Sequence, residues 1–467
     1  MLYTILSLFI FSAAQAEFDQ FNIAIYEKCH KQLTNRRIKR NSNVVEQIKS
    51  QKLTSPQACL NLMDKASLNK DLLLKNQTSE SIVILKNIHL LHSSWFKVFN
   101  LNRETQDHGV TNVIDSNQMS YQFTAALLNS DIAYSSIFTS EDTLSAKRKD
   151  SHRNIFSNDK DIQGRRSKID GTGMRKWQVG GIKDNPDDYG DVYFFRPRLV
   201  EFGPLVGFQK VEEHLYFTRL QNGKHIGKSS LTKNIFPGVF GSIPYLILNL
   251  GHDNQTTDGG NKIHRRFASN FFSDFLCRDL PVLLPEDIRP VKSSKLTFRN
   301  KKTCMGCHQT MDQFAKLTAN LEPFNAGEVH TNAYTFRSIY RHKFINNAKY
   351  KYTDSDKDFY RKKHVSKLYF RDLHGKLIDK EIKSYNQLGE MISSIDDPYL
   401  CTASRYFTFL TGIDVDINNF SKVPKNNSLK DFLLKLTQDL KKNQNPINIF
   451  KMVFSSNFYL QRDIAHE

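Results

Sequence analysis

Of the six cysteines in this 467-residue chain, two stand in a run able to do covalent chemistry, Cys304-Met305-Gly306-Cys307-His308. Two thiols with two residues between them and an imidazole directly after form the attachment pattern of a c-type haem. The thiols add to the two vinyl groups of the porphyrin, and the intervening pair lets the backbone turn between them. Small Gly306 is expected to permit close approach to the macrocycle. His308 is then held where it can coordinate iron from the proximal side. A disulfide or half of a zinc site would use the same thiols. A four-ligand zinc site, however, wants a second Cys or His pair at similar spacing, and the sequence offers none. The expected cofactor-binding residues are therefore Cys304, Cys307 and His308, and the expected cofactor is one covalent haem c.

A second axial ligand is the next requirement. Methionine is common in that position and raises the potential relative to two histidines. Met311 lies one helical turn from His308 and so on the same side of the ring, which makes it a poor candidate. Met391, Met452 and His374 stay open, with Met391 first among them, so the expected metal ligands are His308 and Met391. A vacant sixth position would instead admit peroxide or another small molecule. His89 and His92 lie three apart on a helical stretch, yet packing is the more economical reading of them.

Several elements must position these groups. Glu17 to about Ser140 reads as helical, with Ile82, Leu85, Ile88, Leu91, Trp95 and Phe99 near a helical period. Residues 141–261 read as a polar linker and a mixed loop and strand region. Val192-Tyr193-Phe194-Phe195 and Leu215-Tyr216-Phe217 suit short strands, and Asn222-Gly223 suits a tight turn. Gly223 to Ser229 ends in Gly-Lys-Ser, but its spacing and missing lead-in strand rule out a phosphate loop. The turn-rich stretch Gly251–Asn261 lacks the spacing of an EF-hand and reads as a plain loop.

Residues 262–420 read as the haem-bearing domain. Phe267, Phe271, Phe272 and Phe275 lie on a helix that breaks at Pro281, Pro285 and Pro290, and Met311, Phe314, Leu317 and Leu321 line the helix after the motif. Arg341 to Lys367 is a polar insertion. Residues 421–467 close the chain with two amphipathic helices. Ser428-Leu429-Lys430-Asp431 resembles a capping box ahead of Phe432, Leu433, Leu436 and Leu440, and Pro446 opens the last helix. The expected fold class is mainly α: a helical amino-terminal region, a polar linker, a cytochrome c-like domain and a closing helical bundle.

The remaining bounds concern compartment and partners. Leu2 to Ala14 is apolar and Ala14-Gln15-Ala16 is a small-x-small site, so residues 1–16 are expected to be a signal peptide removed before Glu17. The other four cysteines, Cys29, Cys59, Cys277 and Cys401, suit one or two disulfides in an exported chain, Cys29 with Cys59 foremost. A formal charge of +18 favours an anionic surface or an acidic redox protein as partner, although a Lys-rich solvated surface explains it equally. Nucleic acid is disfavoured by export.

Three stretches together resemble one bacterial set, the planctomycete-type cytochrome domain proteins. They are Arg265-Arg266 through Leu276-Cys277-Arg278-Asp279-Leu280-Pro281, the motif with Met311-Asp312 and Leu321-Glu322-Pro323-Phe324-Asn325-Ala326-Gly327, and Asp372 to Leu377 with Leu388, Leu400-Cys401 and Tyr406 to Gly412. The resemblance implies export to the periplasm or beyond, one covalent haem and a largely helical architecture, but it supplies no reaction. The chain departs from the family in the 341–367 insertion and in Asp312-Gln313, where the family has Asp-Pro. The expected function is an exported c-type cytochrome that passes single electrons to an unidentified redox partner. The alternatives are a haem-dependent, peroxidase-like enzyme and a basic surface-binding protein with structural haem. A di-haem peroxidase would need a second Cys-x-x-Cys-His, and neither a His-Glu-x-x-His nor a Gly-x-Ser-x-Gly motif is present.

Overall fold

The phenylalanines spaced at 267, 271, 272 and 275 do form one helix face, on the helix Ile263–Leu276, and all four rings are fully buried. They make a wall on which the motif-bearing helix, Lys302–Ala315, is laid. Phe314 carries that contact, with its ring 4.7 Å from Phe271 and stacked on Phe267 at 5.9 Å. Each fully buried phenylalanine contributes roughly 1.5–3 kcal/mol by removal from water, so this face fixes the motif helix firmly.

A computed structural model describes residues 20–96, 117–153, 199–210, 234, 236–249, 263–294, 296–318, 366–424 and 427–460, with the strand segments 168–169, 174–177, 192–195, 215–221 and 224–230. The expected signal segment at 1–16, the loop Gly251–Asn261, the stretch Leu321–Gly327 and nearly all of the 341–367 insertion lie outside the described residues. Within them the chain is mainly α-helical, and one continuous apolar core runs from Ile25 to Tyr459.

The region expected as a linker contributes to that core. Strand Leu144–Arg153 pairs antiparallel with Leu199–Lys210, burying Leu144, Ala146, Leu205 and Phe208. The ribbon is stitched to the loop before residue 75 by Leu74 N–H donating to Val206 O and Phe208 N–H donating to Leu72 O. Strands Leu215–Gln221 and Lys224–Ser230 pair antiparallel with Gln221 opposite Lys224, and Asn222-Gly223, where a tight turn was expected, lies outside the described residues. The Gly-Lys-Ser run thus sits in a strand, consistent with rejecting a phosphate loop. A further hairpin, Ser366–Arg371 with Leu377–Ile382, lies against the motif helix where helix alone was expected.

A helix at Asp397–Thr411 is buried on nearly every side and packs on the phenylalanine helix and on both closing helices, Ser428–Asn443 and Ile447–Phe454. The cap of Ser428–Asn443 falls one residue before the expected box: Asn427 accepts from the Lys430 N–H at 3.0 Å. Two disulfides brace this arrangement. Cys29–Cys59 joins the expected partners, and Cys277–Cys401 ties the end of the phenylalanine helix to the central helix across 124 residues.

Beside the second disulfide, Arg278 meets Asp397 at 3.3 Å with both side chains buried. Neither that contact nor the Leu373 N–H, which Asp397 accepts at 3.2 Å, offsets desolvation, and burial pushes the Asp397 carboxyl up to about 7.

Two expectations follow. Replacing Cys277 and Cys401 together by Ser lowers stability by about 2–4 kcal/mol, read from urea unfolding; an unchanged midpoint contradicts the brace. For Asp397 the folded pKa lies above the unfolded one, so the folded state holds an extra proton between about pH 4 and 7. Its stabilising contribution is present below that window and is lost as pH rises through it, by up to about 1.4 kcal/mol per pH unit. Asp397→Asn removes this slope from the pH dependence of unfolding, and an identical slope in the variant contradicts the assignment.

Candidate functional site

On the helix Lys302–Ala315, positions 304, 307, 308 and 311 fall on one stripe about 100° wide. The structure leaves that stripe half-buried, and it buries Met305, Gly306, Gln309 and Thr310 on the other side. The helix is pinned by its polar residues as well as by Phe314. Thr310 Oγ1 donates to Tyr369 O at 2.7 Å. Gln309 Nε2 donates to Asp287 O at 2.9 Å, and Gln309 Oε1 accepts from Arg289 N at 2.6 Å. Asp287 is itself held by Arg371, at 2.6 Å to Nε and 2.8 Å to Nη2. That guanidinium keeps its carboxyl below the usual range.

Gly306 does not serve the purpose expected of it. An added Cβ would meet Ile288 and Pro281 at 3.6 Å, an ordinary contact with protein. The small residue thus sits on the packed side of the helix.

Cys304 and Cys307 are the two free cysteines of the chain, both partly exposed. Burial, followed by its neighbour Cys304, pushes the Cys307 thiol up, which is opposite to what a thiolate nucleophile needs. His308 follows them with its side chain 25 % exposed, and its Nδ1 is 3.1 Å from Asp312 Oδ2. Asp312, only 3 % exposed, accepts from Arg265 Nε at 2.6 Å through its other oxygen. The Phe298 ring packs on the imidazole at 4.5 Å. No hydrogen-bond or ion-pair partner is found for His308 Nε2 among the described residues.

The structure therefore brings Cys304, Cys307 and His308 together with Met311 and adds Asp312 and Arg265. The i, i+4 spacing of His308 and Asp312 was a signal in the sequence. Nothing there pointed to Arg265, 47 residues away.

Met391 is not brought to this group. Its helix, Tyr385–Ser394, packs chiefly on Ser136–Thr139 and on Leu377–Ile382, and Met391 is buried in the core. The approach to Ser136–Thr139 is so close that a Cβ on Gly389 would lie 2.2 Å from Phe138 O. Met452 is partly buried against the same core. His374 Nε2 is 2.8 Å from Asp396. His92 is a core histidine with Nδ1 on Thr124 and Nε2 on Tyr406, both at 2.7 Å, and burial holds its pKa well below the usual value. His89 meets Ser120 at 3.1 Å.

These placements correct the expectation of a metal-binding, iron-ligating protein. Among the described residues no three His, Cys, Asp or Glu side chains gather so as to hold a metal ion. A metal centre assembled from the chain's own ligands, with His308 and Met391 among them, is not what the fold builds. The physical reason is that Met391 is spent on packing and that His308 has a single acidic neighbour, itself engaged by Arg265.

An open cavity of about 490 Å³ lies elsewhere, between Trp95, Arg405, Phe409 and Ile417, with none of the motif residues on its wall. Among the described residues no helix is long and apolar enough to cross a membrane. No family model, curated protein or solved structure matches the chain.

With four cysteines oxidised, iodoacetamide under denaturing, non-reducing conditions labels Cys304 and Cys307 alone in the haem-free protein. Peptide mapping reads this, and labelling of Cys277 or Cys401, or protection of the motif thiols, contradicts it.

Proposed function

We propose that the chain is an exported c-type cytochrome whose motif thiols carry one covalent haem and whose task is single-electron transfer. The observation that supports this best is the allocation of cysteines. Four of six are paired in disulfides, and the two left free belong to Cys304-Met305-Gly306-Cys307-His308.

Those thiols share the half-exposed stripe with His308, whose Nε2 points to no described partner. A tetrapyrrole brings four nitrogen donors of its own and asks the protein for thioether anchors and an axial imidazole, so its fit does not depend on a cluster of three protein ligands. When bound, such a group supplies reversible one-electron exchange. The chain's part is to tether it through Cys304 and Cys307, to present His308 at a fixed angle, and to keep the buried side of the helix rigid through Gln309, Thr310 and Phe314.

Two disulfides support an oxidising compartment outside the cytoplasm. The likeness to planctomycete-type cytochrome domain proteins rests on the residues quoted above and supports the same reading. Dithiol exchange is the reading that two free thiols at this spacing also invite. The raised Cys307 pKa weighs against it.

Produced with a c-type maturation system and exported, the protein shows the reduced spectrum of a c-type haem. Replacing Cys304 and Cys307 together by Ala abolishes covalent attachment and leaves both disulfides intact. A colourless wild type, or a double variant with undiminished covalent haem, contradicts the proposal.

A further inference from the structure

We infer that Asp312 is the positioning residue for His308: it holds the Nδ1 proton, is itself held by Arg265, and so presents Nε2 as the free lone pair. The inference rests on the motif reading above for its consequence at a bound haem, but its geometry belongs to the chain alone.

Asp312 is almost fully withdrawn from solvent, and its two oxygens divide their work. Oδ1 takes Arg265 Nε at 2.6 Å. Oδ2 lies 3.1 Å from His308 Nδ1 and 3.4 Å from Arg265 Nη2. A carboxylate has only acceptor sites to offer, so the Nδ1 facing it carries the proton and donates. In a neutral imidazole that leaves Nε2 unprotonated.

The ring plane is fixed from a second direction by Phe298 at 4.5 Å, and the Arg265 guanidinium stands over that same ring at 5.5 Å. Lys316, whose ammonium is pushed down by burial and drawn back by Asp312, is the other cation facing the carboxylate. Arg265 and Lys316 thus stand on the Asp312 carboxyl group, and one helical turn of backbone delivers it to the histidine.

The arrangement does more than orient. A carboxylate that accepts from the distal nitrogen of an axial histidine raises the basicity of the ligating nitrogen. The oxidised form of a bound haem is favoured by a more basic ligand, so Asp312 lowers its midpoint potential.

Two readouts test this, and they fail independently. In the haem-free full-length protein at pH 8, ¹⁵N NMR of His308 is expected to show Nδ1 protonated and Nε2 unprotonated. Asp312→Asn mixes the two tautomers, and Asp312→Glu, which keeps a carboxylate within reach, restores the wild-type pattern. A wild type with Nε2 protonated overturns the inference whether or not haem is ever attached. In the matured protein, Asp312→Asn raises the midpoint potential and Asp312→Glu returns it towards wild type. A variant that takes up haem as well as wild type does and leaves the potential unchanged overturns the tuning role. If wild type itself takes up no covalent haem, the motif reading fails, and the tautomer measurement still decides Asp312. Should Asp312→Asn not fold, the wild-type tautomer and the Asp312→Glu spectrum carry the test.

Discussion

One helix has to do two incompatible things, and the rest of the described fold resolves the conflict. Residues 302–315 must bury one side deeply enough to be rigid and must leave the other open enough for chemistry. The phenylalanine wall of Ile263–Leu276 supplies rigidity through Phe314. The hairpin Ser366–Arg371 with Leu377–Ile382 and the Asp287–Arg371 pair supply it through Thr310 and Gln309. What remains outward is a stripe of two thiols, an imidazole and a thioether. Turning the helix by one residue, about 100°, would bring Met305 and Gln309 outward and carry Cys304, Cys307 and Met311 off the open stripe.

The same economy governs sulfur. Cys277 and Cys401 lock the phenylalanine helix to the central helix, and Cys29 and Cys59 lock the amino-terminal helices. Because every cysteine outside the motif is committed to a cross-link, the free thiols are confined to the one helix face that also carries His308. The fold thus sorts the six cysteines by geometry. The two at 304 and 307 are held on a rigid helix, while each of the other four meets a partner from a different element.

Much of this was legible in the residues. The phenylalanine period, the stripes at Leu433, Leu436 and Leu440 and at Ile449, Phe450 and Val453, and the strand at Leu215-Tyr216-Phe217 rest on local patterns, which depend on neighbours a few residues away, while the Cys29–Cys59 pair was read from two cysteines that bracket one short segment. The misses are all non-local. The run from 141 read as a polar connection because Lys147, Arg148, Lys149 and Asp150 dominate it. Its Leu144 and Ala146 become core only when Leu199–Lys210 arrives from far along the chain, with Lys210 opposite Leu144 and Phe208 opposite Ala146.

Met391 read as a ligand because methionine on a helix after the motif has the right chemistry. It is instead a buried core residue, on a helix that Gly389 lets approach Phe138 closely. Gly306 read as space for a macrocycle, whereas a proline and an isoleucine occupy that side. Asp312 could have been read from its spacing to His308, but its role depends on Arg265, which only the packed helices bring near.

The account depends on a porphyrin joined through thioether bonds to Cys304 and Cys307, and acid–acetone extraction followed by intact-mass measurement tests that most directly. The protein, exported in cells with a working haem-maturation system, is predicted to keep its colour in the precipitate and to weigh one haem more than the mature polypeptide, with the added mass on the peptide containing residues 304–308. Colour released into the solvent, or a mass equal to the bare polypeptide with two disulfides, contradicts it.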